Sequence, residues 1–226
     1  RVVALDTTAP IDRRLIDRLG STEGLTGLVS GSHAHGASHV VDRLTLGTHD
    51  VSLRRHVLAF FQGNRHLLGD LASHVVAQVH ADGAVVDLYA GVGLLSIAVA
   101  VATGASVTAI EGDRVAAADL DANAKASGAS VAAVHDAVER FVQRAPAARP
   151  ATVIVDPPRT GMSREALDGA IAFGPRRIVY VSCDVATLAR DARRLVDAGF
   201  RISRADAFDL FPNTPHVETV VVFDRD

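Results

Sequence analysis

The sequence predicts an α/β fold built on a doubly wound, mainly parallel sheet. From residue 84 onward, short apolar runs alternate with longer helical patterns, separated by turn signals. A glycine-rich turn, Asp87-Leu-Tyr-Ala-Gly91-Val-Gly93, closes the first of these runs. The last two runs have no helical pattern between them, so they predict an antiparallel pair at one side of the sheet.

Each element has its own justification. Residues 84–88 are an apolar run ended by Gly91 and Gly93, the pattern of a strand buried on both faces. A helix over 94–102 stops near Gly104, and a second strand spans 106–110. Residues 113–127 predict a helix with Gly128 at its end. A third strand covers 131–135, followed by a helix through Phe141, and Pro146 and Pro150 flank a loop. The fourth strand spans 152–155 and its helix 164–173; the fifth spans 178–181 and its helix 185–198, stopped by Gly199. Residues 201–207 and 217–223 are the final strands. Ahead of the sheet, 11–19 predicts a short amphipathic helix and 31–38 a small polar loop. A strand pair over 40–46 and 49–53 turns at Gly47, and a helix over 67–79 leads into the sheet.

Composition narrows the function. With 48% apolar and 22% charged residues the chain supports a packed core. No apolar run is long and charge-free enough to span a bilayer, and a signal-peptide pattern is lacking, so we expect a cytoplasmic protein with no membrane partner. A single cysteine, Cys183, excludes an internal disulfide and an iron–sulfur cluster held by several cysteines of this segment. The net charge of -3 is not that of an autonomous nucleic-acid binder. Arginines cluster at Arg13/Arg14/Arg18, Arg54/Arg55, Arg140/Arg144/Arg149, Arg176/Arg177 and Arg190/Arg193/Arg194. They read as solvated helix faces or as a local basic rim for phosphates. His33, His35 and His39 lack nearby acidic or cysteine ligands, so no metal is expected. No feature marks an obligate protein partner.

The glycine turn suits a nucleoside ligand. Glycines let the backbone turn tightly and approach a ligand, and Glu111 ends the second strand where it can hydrogen-bond a ribose diol. A nicotinamide site shares that logic. Here, however, Ser96 replaces the third glycine, and Asp87 precedes the glycines. An acid before Gly-x-Gly favours S-adenosylmethionine (SAM), whose methionine ammonium it can meet. Asp136, after the third strand, reads either as an acceptor for an adenine amino group or as a helix N-cap.

Three further segments carry chemistry. Asp156-Pro157-Pro158-Arg159 closes the fourth strand, and its prolines stiffen the tip that holds Asp156. Enzymes that methylate nucleobase amines carry an aromatic residue after a similar Asp/Asn-Pro-Pro; Arg159 cannot stack in that way. Ser182-Cys183-Asp184 closes the fifth strand, with the positive end of the next helix facing the thiol. That field favours thiolate, opposed by Asp184 unless its carboxylate turns to cap the helix. The alternative is a buried, inert cysteine. His216-Val217-Glu218 opens the last strand, whose apolar faces would bury Glu218 and raise its pKa toward proton-transfer range; the alternative is an exposed strand-end acid.

Together these segments resemble the RNA uracil-5-methyltransferase family. The matching stretches are Phe60-Phe-Gln-Gly-Asn64, Asp87-Leu-Tyr-Ala-Gly-Val-Gly93, Asp156-Pro-Pro-Arg-Thr-Gly161, Tyr180-Val-Ser-Cys-Asp-Val-Ala-Thr-Leu-Ala-Arg-Asp191 and Phe211-Pro-Asn-Thr-Pro-His-Val-Glu218, in family order. The resemblance implies a class I SAM-dependent methyltransferase fold, Rossmann-like, with a seven-stranded, mostly parallel sheet. It implies a catalytic domain over 61–226, with 1–60 as a short accessory lobe. It implies Cys183 as nucleophile and Glu218 as base, with Gln62, Asp87, Tyr89, Gly91, Gly93, Glu111, Asp136 and Asp156 around SAM or the target base. RNA, a tRNA or rRNA loop uridine, is the implied partner. Leu94 stands where several members carry Asn, and Asp184 replaces a more usual Asn. The family's N-terminal RNA-binding barrel and cysteine cluster are not visible.

The residues fit that chemistry on their own terms. Carbon 5 of uracil is a poor nucleophile until a thiolate adds at carbon 6 and makes an enolate. Two rivals remain: a SAM-dependent methyltransferase of an exocyclic amine with a structural Cys183, and a non-catalytic SAM- or RNA-binding protein.

Overall fold

A computed structural model describes residues 1–9, 11–80, 82–144 and 149–225; the predicted loop position Pro146 lies outside the described residues. Its main sheet has the order β11-β12-β10-β9-β6-β7-β8, whose strands are β6 (Val85–Leu88), β7 (Val107–Glu111), β8 (Val131–His135), β9 (Thr152–Val155), β10 (Arg177–Ser182), β11 (Arg201–Phe208) and β12 (Glu218–Asp224). β12 runs antiparallel to both β10 and β11, while the other pairs are parallel. This is the predicted sheet, closed by the predicted antiparallel pair.

The helices alternate with the strands because each apolar run is followed by a capped, periodic segment. They are α2 (Leu68–Gln78), α3 (Leu94–Thr103), α4 (Arg114–Ser127), α5 (Val138–Val142), α6 (Arg164–Ala172) and α7 (Val185–Asp197). Asp113, Ser163 and Asp184 cap α4, α6 and α7 with side-chain oxygens, and Gly104 and Gly128 end α3 and α4 in the left-handed region. Alternate strand residues serve two cores. Val86, Leu88, Val153, Val155 and Tyr180 pack toward α5, α6 and α7, while Val85, Ile154, Val179 and Val181 pack with α2 and α3 residues such as Leu71, Val75, Leu95 and Val99. Each of these side chains contributes about 1.5–3 kcal/mol when fully buried.

The N-terminal part departs from expectation. Helix α1 (Arg13–Gly20) is present, capped by Asp12. The stretch 31–38, expected to be a loop, contains β3 (His33–Gly36), paired with β2 (Gly27–Ser30), which in turn pairs with β1 (Val2–Ala4). Such three- and four-residue strands leave too short an alternation to read. The predicted strand pair is the hairpin β4 (His39–Leu46) and β5 (His49–His56). Its Leu44, Leu46, Val51 and Leu53 pack on Leu68, Ala72, Ile97 and Ala98 of α2 and α3. Buried Asp119 of α4 fastens it, accepting from the His56 backbone at 2.6 Å and Arg54 Nε at 3.2 Å. His39 lies 3.3 Å from the same carboxylate and stacks edge-on with His56, while His35 pairs with Asp17 at 3.2 Å. Among the described residues no His, Cys, Asp and Glu group is arranged to hold a metal ion. No helix of the described residues is long and apolar enough to cross a membrane.

Candidate active site

The strand order reverses between β6 and β9, so the loops leaving these strands diverge and open a crevice at their C-terminal ends. The glycine turn lies on one side of it. Tyr89 has φ 66°, an unfavourable value for a bulky side chain, and Gly91 and Gly93 have φ 57° and 97°. A Cβ on Gly93 would meet Leu120 Cδ1 at 2.7 Å; one on Gly91 would meet nothing within 4 Å, so open space lies above that turn. Gly91 N–H donates to Glu111 Oε2 at 2.8 Å, and Asp113 N–H donates to Oε1 at 2.6 Å. Both carboxylate oxygens are thereby fixed, and each keeps a lone pair for a further donor such as a ribose hydroxyl.

Asp87 sits beneath this turn, 1% exposed. Burial pushes its carboxyl up to about 7, against the hydrogen bond donated by Ser96 and with a further push from the Glu111 charge. Asp87 Oδ1 and Gln62 Oε1 are buried polar atoms with no protein partner. Such atoms fit a ligand that brings donors, as the ammonium and amine groups of SAM would. Asp136 is otherwise engaged. Ala137, not Asp136, is the N-cap of α5, and Asp136 instead pairs with Arg140 at 2.7 Å and with Arg144. The N-cap expectation is therefore corrected by one residue: Ala137 holds the cap position, and Asp136 Oδ1 accepts from the Ala137 N–H at 2.9 Å from just outside the helix.

The second side of the crevice carries Asp156, Cys183 and Glu218. Asp156 follows β9, its N–H reaching Leu88 O of β6 at 3.4 Å. The antiparallel register of β10 and β12 ends with Ser182 opposite Thr219, so Cys183 and Glu218 occupy the positions next to that last pair, and the Glu218 charge acts on the thiol. Glu218 is 0% exposed, and neither carboxylate oxygen has a hydrogen-bond partner. Burial raises its pKa to about 7. Burial, then the charges of Glu218 and Asp87, hold Asp156 well above the usual carboxylate range. The sequence led us to expect a thiol pKa lowered by the α7 field. Asp184 does turn to cap that helix, accepting from Thr187 N–H at 2.9 Å. The thiol is nonetheless raised, because burial and the Glu218 charge outweigh the opposing hydrogen bond and charge of Arg159.

The family model described as tRNA (uracil-5-)-methyltransferase matches residues 34–226. The chain belongs to this family. An uncharacterized RNA methyltransferase of Bifidobacterium longum is 31% identical over 222 residues, covering 93% of this chain and 51% of its own length. One of Thermotoga maritima is 40% identical over 166 residues, covering 72% and 37%. The chain thus spans about half, or less, of the curated relatives it matches. A crystal structure of Pyrococcus abyssi tRNA (uracil-54, C5)-methyltransferase with S-adenosyl-L-homocysteine superposes with TM-score 0.76 at 24% identity, over 98% of this chain and 55% of that one. The tRNA m1G37 methyltransferase of Methanocaldococcus jannaschii gives 0.62 at 17%, over 100% and 72%. The fold is that of the SAM-dependent methyltransferases.

Against this family, the crevice gathers most of the sequence-selected residues. Asp87, Gly91, Gly93 and Glu111 meet at the glycine turn, and Asp156, Cys183 and Glu218 are electrostatically coupled beyond it. Tyr89 lines a cleft of about 460 Å³ with Glu139, Pro158, Met162 and Arg190. Sequence reading missed one influence, the Arg159 side chain, whose positive charge and donor groups oppose the rise of the Cys183 thiol. Its only signal was the basic residue in place of an aromatic one after Asp156-Pro-Pro.

Proposed function

We propose that this chain is the catalytic part of a SAM-dependent RNA methyltransferase acting on carbon 5 of a uridine in tRNA or rRNA. Residues 61–226 form the catalytic domain and 1–60 an accessory lobe. The observation that carries the reading is Glu218, a fully buried carboxylate with no protein partner, next to the last β10–β12 register pair and acting on the Cys183 thiol. A structural cysteine has no use for a buried, unpaired acid beside it, whose desolvation is costly. A base that must receive one proton from a ring carbon does.

Gln62, Asp87, Gly91, Gly93 and Glu111 hold SAM, and Asp136 contributes from the next strand once its arginines yield. SAM supplies a methyl group on a positively charged sulfur. The Cys183 thiolate donates its electron pair to carbon 6, and the ring double bond becomes an enolate. Asp156, favoured as the neutral acid, orients the ring and donates to a ring carbonyl as charge grows there. Carbon 5 then takes the methyl group as the sulfur–methyl bond breaks, its electron pair remaining on sulfur to leave S-adenosylhomocysteine. Glu218 removes the carbon-5 proton, and the returning electron pair restores the double bond and expels Cys183 as thiolate. Arg159 stabilises that thiolate against the two acids. The target base must leave its stack to reach this crevice, which favours a loop or flipped nucleotide.

Intact mass after mixing with SAM and RNA bearing 5-fluorouridine tests this. Fluorine cannot leave carbon 5 as a proton, so the expected result is a methylated adduct on Cys183. Absence of an adduct with tRNA and rRNA loops, alongside methylation of ordinary RNA, would instead establish the amine-methylating rival. SAM or RNA binding without turnover would establish the non-catalytic one.

A further inference from the structure

Midway along α7 lies Asp191, a carboxylate 1% exposed that takes no part in the steps above. Its Oδ2 accepts from Met162 N–H at 2.9 Å and from the Tyr180 hydroxyl at 2.7 Å, and its Oδ1 accepts from Arg190 Nε at 2.8 Å. Arg190 in turn donates to the carbonyls of Thr160 at 3.2 Å and Met162 at 2.9 Å. One turn earlier, Thr187 Oγ1 donates to Arg159 O at 3.1 Å. Gly161 completes the fit: at φ +72°, a Cβ there would lie 2.5 Å from Arg190 and 2.8 Å from Asp191. The loop 158–162 is thus held flush against the helix.

These bonds join two strand ends. Tyr180 is buried in β10, three residues before Cys183, and the loop begins at β9 with Asp156 and carries Arg159. A buried carboxylate left without partners is costly, and Asp191 has three donors, Met162 N–H, the Tyr180 hydroxyl and Arg190 Nε. We propose that Asp191 is a positioning residue for Cys183: it locks the 158–162 loop onto α7 and β10, so that the Arg159 charge stays within reach of the thiol. This deepens the covalent reading and rests on it. The groups that face the thiol are Arg159 and Asp156 from the loop and Glu218 from β12. Arg159 is the only cation among them, so its displacement leaves the thiolate facing two acids.

Asp191→Asn keeps the volume but turns an amide N–H₂ toward one set of donors, loosening the loop. Cys183 is the sole thiol of the chain, so alkylation by iodoacetamide reads it directly. In the full chain, Asp191→Asn should slow alkylation at pH 7 roughly tenfold and move the pH–rate inflection up by about one unit. SAM affinity should stay unchanged, because the Glu111 cradle does not touch the clamp. In an Arg159→Gln background the same substitution should add nothing. A purely structural role predicts the reverse, faster alkylation through a loosened site with no shift of the inflection, and that result overturns the proposal. Should Asp191→Asn fail to fold, Tyr180→Phe removes one donor without changing the core volume. It should shift the inflection the same way by less, and an unmoved inflection overturns the proposal. Retained methylation by Cys183→Ala sinks the covalent reading itself, a result separable from these because alkylation reports the clamp whatever the reaction is.

Discussion

The two sides of the crevice treat their carboxylates in opposite ways. On the glycine side, Glu111 has both oxygens tied to backbone N–H groups, at 2.8 and 2.6 Å, and stands ready to accept more. On the thiol side, Glu218 has no partner for either oxygen, and Asp156 and Cys183 are destabilised as anions by burial and then by the Glu218 charge. The first arrangement is preorganised at little cost to folding. The second is expensive in the free protein and becomes favourable when a reacting group arrives, which is the pattern of a site that moves protons rather than one that merely holds a ligand. Binding and chemistry are separated across the β6–β9 switch, and each side can be broken alone.

The largest break is on the thiol side. Cys183→Ala should abolish methylation while SAM still binds with native affinity, measured by calorimetry. Glu218→Gln should cut turnover by roughly 10²–10⁴-fold, the range for a lost general base. It should also let the Cys183–RNA adduct accumulate on ordinary uridine, visible by intact mass, because addition and methyl transfer precede the proton removal. Loss of turnover without adduct would move the role of Glu218 to an earlier step.

The next effect concerns stability. Glu218 has a folded pKa of about 7 against an ordinary 4.5. Below pH 4.5 both states are protonated and nothing is lost. As pH rises from there to about 7, the unfolded chain ionises first and is favoured. Relative to the native protein, Glu218→Gln should therefore show no pH-dependent gain below 4.5 and a gain of roughly 3 kcal/mol above 7. Denaturant midpoints across that range measure it. A flat difference would mean that Glu218 is solvated in solution. Glu111→Gln should act on the other side alone. One of its two backbone N–H bonds would face an amide donor, weakening SAM binding by about 1–3 kcal/mol with the thiol pH profile unchanged.

How much of this was legible depended on whether the signal was local. Strands β6 to β12 could be read because each apolar run meets a turn or cap within a few residues, as at Asp113, Ser163 and Gly104. The strands β1 to β3 could not, since three or four residues carry no measurable period. Burial of Glu218 was legible from the apolar strand around it. The direction of the Cys183 shift was not: it depends on Glu218, 35 positions away, lying next to the last register pair, and on Arg159 from another strand end. The arginine partners of Asp136 were not legible for a related reason: on the sequence they look like solvated helix surface.

The smallest effect separates the two sides by charge. Asp87 and Glu218 both titrate near 7, so at that pH each is about half protonated. A cation arriving beside either one releases its proton. SAM carries a sulfonium and an ammonium; S-adenosylhomocysteine keeps the ammonium and lacks the sulfonium charge. If Asp87 meets the ammonium end and the thiol side faces the reacting sulfur, S-adenosylhomocysteine should release roughly half a proton and SAM more. Calorimetry in buffers of different ionisation enthalpy reads both. Asp87→Asn should remove the release common to the two ligands and leave their difference intact, while Glu218→Gln should reduce the difference and spare the common part. Equal release by both ligands in the native protein would mean that the buried acids of β9 and β12 do not sense the methyl-bearing sulfur. Unequal release would mean that SAM binding itself ionises Glu218, so the base is charged only once the methyl donor is in reach.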